Sequence, residues 1–141
     1  MKKVTLIIAI LISKISFGQS YDEQMIKAGQ ELQKKDFCSA LEIFKSAFVD
    51  STKIGTYDLA YGAVAAINCK SEKLALNWLN KSQKKGFGSN QDELDFILAD
   101  TSFVKLYSYP EWLKLISDMK NAVIQKEELQ KIKSSQSLIL D

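Results

Sequence analysis

Residues 40–47, ALEIFKSA, return 35 positions later as residues 75–82, ALNWLNKS, and this recurrence decides the fold. Ala40 aligns with Ala75, Leu41 with Leu76, Phe44 with Leu79 and Ala47 with Ser82. Upstream at the same offset, Met25 aligns with Ala60, Ile26 with Tyr61, Ala28 with Ala63 and Leu32 with Ile67. In all four segments apolar residues come back every three or four positions, the period of a helix that buries one face, and none alternates like a strand. The chain is therefore expected to be all-α, with helices near 22–35, 38–50, 56–69 and 72–85. The links STKIG and KSE are short enough to force neighbouring helices antiparallel. A single hairpin has an apolar stripe it cannot bury alone, so stacking two of them forms a continuous core.

Downstream, KKGFGSNQDELDFILADTSF (84–103) carries Gly86 and Gly88, which end the fourth helix. Asn90 and Glu93 have capping-box spacing for a fifth, with the Asn side chain accepting from the third helical amide while the Glu reaches back. Asp100 can cap a short helix holding Phe103, Leu106 and Tyr107, and Pro110 opens a last helix at the favoured first-turn position. Trp78, Phe87, Phe96, Phe103 and Trp112 are assigned to the packing of the second hairpin and its cap. A ligand pocket is the alternative for the same aromatic set.

The order small, aromatic or Leu four on, small three on, in ALEIFKSA and ALNWLNKS, resembles the second helix of the tetratricopeptide repeat, a helix-turn-helix unit of about 34 residues. Gly29 and Leu32 look like the small and large residues of its first helix. Asp100, Phe103, Pro110, Trp112 and Leu113 resemble a closing segment found after such repeats in exported bacterial proteins. The resemblance covers residues 21–118. In two places the chain departs from the pattern: Gly29 stands eleven residues before Ala40, one fewer than usual, and the proline that normally follows the second helix is missing from both repeats. The resemblance implies two stacked repeats sealed by short helices and a longer C-terminal helix. It also implies a groove for a peptide or partner helix, lined from the first helices by Ile26, Gln30, Gln33, Tyr61, Ala65 and Asn68. Of the Lys and Asn residues that would clamp a C-terminal carboxylate in that family, only Asn68 is present, so this ligand class is not expected.

All 19 basic residues are lysine. Without the planar guanidinium that reads phosphate and guanine edges, a nucleic-acid reader is not expected. Residues 1–18 have the layout of a secretory signal peptide: Lys2 and Lys3, an apolar run from Val4 to Ile12, then Ser16 and Gly18 two apart. That run is too short for a spanning helix of about 20 residues, so no stable membrane insertion is expected once the leader is cleaved. Cleavage after Gly18 leaves 16 lysines against 17 acids, a net of −1, which gives the mature chain no electrostatic pull toward nucleic acid or anionic membrane. Residues 19–118 then form the helical domain. Residues 119–141 form a C-terminal extension in which Val123, Ile124, Leu129 and Ile132 continue the helical spacing, and which docks back, meets a partner or leads into a further region.

The chain has no histidine, so the commonest general base and most zinc sites are missing. The acids Asp92, Glu93, Asp95 and Asp100 lack the glycine and ligand alternation of a calcium loop and are read as helix caps and a solvated face. No catalytic residue, metal or cofactor is expected. Cys38 opens the second helix of the first hairpin and Cys69 closes the first helix of the second, at the same end of adjacent antiparallel helices. A disulfide is expected there, since export into an oxidising compartment permits it; two free cysteines packed as small core residues are the alternative. The functional expectation is an exported, non-enzymatic interaction or scaffold module of a bacterial envelope, in the periplasm or outside the cell, whose partner is a protein or peptide. The alternatives are a helical accessory domain of an envelope enzyme and a structural or inhibitory protein that plugs a partner's cleft.

Overall fold

The structure, a computed structural model, describes residues 19–50 and 52–137, so the signal-peptide segment lies outside the described residues. All regular structure among the described residues is helical: α1 (Tyr21–Gln33), α2 (Phe37–Ala47), α3 (Thr56–Asn68), α4 (Glu72–Lys84), α5 (Gln91–Ala99), a 3-10 helix (Thr101–Leu106) and α6 (Pro110–Ser137). The expected helices all form.

The helix ends follow from local chemistry. Ser20 caps α1 reciprocally with Glu23, its hydroxyl accepting from the Glu23 amide while its own amide donates to Glu23 Oε2. Asp36 caps α2 by accepting from the amide and the hydroxyl of Ser39. The turns of the two hairpins are the same structure, 35 positions apart. Lys35 (φ 61°) and Lys70 (φ 60°) are left-handed, and the residues after them close the turn, Asp36 N–H donating to Glu31 O and Ser71 N–H to Ala66 O. The repeat seen in the side chains is thus present in the backbone as well. After α4 the same closure uses a residue suited to it: Gly86 (φ 106°) is left-handed and Phe87 N–H donates to Ser82 O. α2 ends at Ala47, short of the expected residue 50, and beyond that end Asp50 Oδ1 accepts from the amide and hydroxyl of Thr52.

Helices α1 and α2 pack as one hairpin and α3 and α4 as another, with α2 against α3 joining them. α3 is the central element and meets α2, α4 and the 3-10 helix. Its buried residues, Leu59, Ala60, Gly62, Ala63, Ala65, Ala66 and Ile67, are small around most of the helix, which lets three neighbours approach closely. At Gly62 a Cβ would lie 3.0 Å from both the Phe48 and Trp78 rings, which meet edge to face at 4.9 Å across it. The cap places Phe103, Leu106, Leu115 and Met119 in the core, all at 1% exposure or less. Gly88 (φ 79°) brings its loop so close to α6 that a Cβ would sit 2.5 Å from Met119 Cγ.

Two further links tie the hairpins together. Tyr21 donates its hydroxyl to Asp58 Oδ2 at 2.6 Å, and the same carboxylate accepts from Gly55 N–H at the start of α3. Burial, reinforced by Asp58, pushes the Tyr21 phenol far above its ordinary pKa. The second link is covalent: Cys38 and Cys69 form a disulfide with their Cα atoms 5.1 Å apart, as the helix-end argument expects.

The C-terminal region corrects the expected boundary at residue 119. α6 runs unbroken through that position, and Met119 (0% exposed) and Val123 (5%) belong to the core. Only beyond Val123 does the helix leave the domain, with Ile124, Leu129 and Ile132 exposed. Among the described residues no helix is long and apolar enough to cross a membrane.

Candidate functional site

The outer side of α3 carries Tyr57 and Tyr61, one turn apart, which point away from the hairpin core and toward α5. With Ala60, Phe87, Asn90, Asp92, Glu93 and Phe96 they line a cleft of about 310 Å³. The rings meet in sequence, edge to face: Tyr57 with Phe87 at 5.7 Å, Phe87 with Phe96 at 6.4 Å and Phe96 with Tyr61 at 6.1 Å. These are favoured aromatic geometries, so each ring helps hold the next in place. Phe87 is buried as the floor, while Tyr57, Tyr61 and Phe96 keep 54, 47 and 37% of their surface open.

Glu93 organises the polar edge. Its Oε1 accepts from the Tyr57 hydroxyl at 2.5 Å, joining α5 to α3, and its Oε2 accepts from the amides of Gly88 and Ser89. This corrects the capping-box expectation by half: Asn90 Oδ1 does accept from the Glu93 amide at 2.9 Å, but the Glu93 carboxylate bonds the preceding loop and Tyr57. The left-handed Gly88 turns those amides toward it. Burial is the largest single influence on Glu93 and raises its pKa, yet the hydrogen bonds from Tyr57, the Gly88 amide, Asn90 and the Ser89 amide together outweigh it, and the carboxyl is held below its ordinary value. The same bond to Glu93 raises the Tyr57 phenol.

A carboxyl with a lowered folded-state pKa adds stability that is fully present above the ordinary value and is lost as pH falls through the lower one. Acid should therefore weaken the link between α5 and α3. Over pH 3 to 6, Glu93→Gln is expected to show a shallower fall of melting temperature with acid than the parent chain. Parallel melting curves would refute that link as a source of acid sensitivity.

Of the six groove positions, Tyr61 alone lines this cleft. Ile26 (63% exposed), Gln30 and Gln33 lie open on one face of α1, away from it. Ala65 is a correction: it is fully buried, because α3 has neighbours on three sides and a small residue at this position meets one of them. Asn68 is half-buried and its amide is already engaged, donating to Val64 O and to Ser102 Oγ, both at 2.9 Å, which holds the 3-10 helix against the end of α3. The aromatic set also divides. Trp78, Phe103 and Trp112 are core as expected, Phe87 is buried and also floors the cleft, and Phe96 is a cleft wall. Tyr57, Asn90, Asp92 and Glu93 were not among the expected binding residues. The signal that could have pointed to them is a pair of tyrosines at helical spacing on a segment otherwise built of small residues.

Compared with protein-family models, with curated proteins and with solved structures, the chain matches none.

Proposed function

We propose that the chain is an exported, tetratricopeptide-like, non-enzymatic interaction module of the bacterial envelope that binds a protein or peptide partner along the outer faces of α1, α3 and α5. The observation that carries this reading is the aromatic cleft between α3 and α5, a preformed concavity with three partly open rings. Aromatic side chains that are already held in place lose little freedom on binding, which is why they serve as anchors in interfaces. The open face of α1, with Ile26, Gln30 and Gln33, supplies further contact area. A disulfide is compatible with export to an oxidising compartment. The groups lining the cleft are rings, the Ala60 methyl, carboxylates and an amide, which offer contact surface and negative charge.

The test is site-specific photocrosslinking in cells. A benzoylphenylalanine placed at Tyr61 or Ile26 is expected to trap a discrete partner, identified by mass spectrometry, while the same group at Lys45, on the exposed side of α2, is not. Equal adducts from all three positions, or none from any, would overturn the reading.

A further inference from the structure

We propose that the cleft between α3 and α5 takes an alkylammonium group, such as a lysine side chain of the partner polypeptide. The inference rests on the interaction reading and specifies what its central anchor point recognises. Three observations converge on it. Tyr57, Tyr61 and Phe96 keep open ring surface at the cleft, and a cation near an aromatic face is attracted by the ring quadrupole. The only charged groups lining the cleft are the carboxylates of Asp92 and Glu93, and among the described residues neither forms an ion pair with a lysine. Glu93 is moreover fixed by the Tyr57 hydroxyl and the Gly88 and Ser89 amides, so its charge is held at the wall and does not swing into solvent. An anionic ligand would meet both carboxylates. A neutral apolar ligand would use the rings and leave the carboxylates without a cationic partner. A cation satisfies rings and carboxylates at once, and the stem of a lysine can lie along the Phe87 floor as such stems do on apolar surface.

The experiment compares choline chloride with 3,3-dimethyl-1-butanol, a neutral molecule of nearly the same shape, by NMR titration of the purified protein while following the ring signals of Tyr57, Tyr61 and Phe96. Choline is expected to shift these signals saturably and to bind about tenfold more tightly than the alcohol, in line with ~1.4 kcal/mol of cation–π and charge attraction. Raising sodium chloride from 0.05 to 0.5 M should weaken choline and leave the alcohol unchanged. Phe96→Leu, which changes a partly open residue, should reduce choline affinity severalfold. Equal binding of the two probes, salt-insensitive choline binding, or no saturable shift from choline would each overturn the proposal. A partner still trapped at Tyr61 in the crosslinking experiment would then leave the interaction reading standing, so the two can fail separately.

Discussion

Reducing the disulfide between Cys38 and Cys69 is expected to lower the melting temperature by on the order of 10–15 °C. The bridge closes a separation of 31 residues. The chain-entropy model assigns such a loop ~3 to 4 kcal/mol, and each kcal/mol corresponds to roughly 3 to 5 °C in a domain of this size. Its placement adds to the effect. Cys38 is in the first turn of α2 and Cys69 caps the end of α3, so the bond fastens the interface through which the first hairpin joins the rest. Without it, that hairpin is held by the packing of α2 on α3 and by the contact between Tyr21 and Asp58. Calorimetry of the oxidised chain, the reduced chain and the Cys38→Ser/Cys69→Ser double variant measures this directly. A melting temperature unchanged to within 2–3 °C would show that the helical packing alone sets the stability, contrary to the entropy argument.

The second large effect is expected from Phe103→Ala, which should cost about 3 to 5 kcal/mol, the usual range for emptying a fully buried aromatic site. Phe103 has no exposed surface and stacks on Trp112 at 5.7 Å, so its ring fills the junction between the 3-10 helix and α6. Asp100 fixes the approach by accepting from the Ser102 amide at 2.9 Å, and Asn68 holds Ser102 from the other side. Removing the ring should therefore loosen the whole cap. The midpoint of urea unfolding should fall accordingly. Phe96→Ala, seven residues earlier, should cost about 1 kcal/mol or less, since that ring is partly open and its loss empties no enclosed space. Similar losses at the two positions would contradict this division of the aromatics into core and cleft.

That contrast shows where sequence reasoning stops. Phe96 and Phe103 lie in the same stretch with the same apolar spacing, and helical periodicity places each on an apolar face. It cannot say whether another element covers that face. α3 poses the same difficulty more sharply. Tyr61 and Ala65 are one turn apart and share the expected groove face, yet Tyr61 is 47% exposed and Ala65 is fully buried. Four residues carry the chain about 40° past a full turn, enough on a helix with neighbours on three sides to take a residue from solvent into a contact. Glu93 is a third case. Its spacing from Asn90 is that of a capping box, but a phenol 36 residues away and two amides of a left-handed loop compete successfully for the carboxylate.

The sequence left the two cysteines open between a bridge and free thiols, and by itself determined the all-α class and the antiparallel hairpin pairs. Each depends on local spacing or on a 35-residue repeat written in the chain, and helix ends are set within a turn by caps and left-handed residues. Only the tertiary structure decided that α6 stays packed to Val123 and that Ala65 and Asn68 are spent on internal contacts. It alone brought Tyr57, Tyr61, Phe87, Glu93 and Phe96 around one cleft. Those outcomes depend on which faces of α3, α5 and α6 meet. That choice is made by shape and close packing among residues far apart in the chain, and helical periodicity carries no record of it.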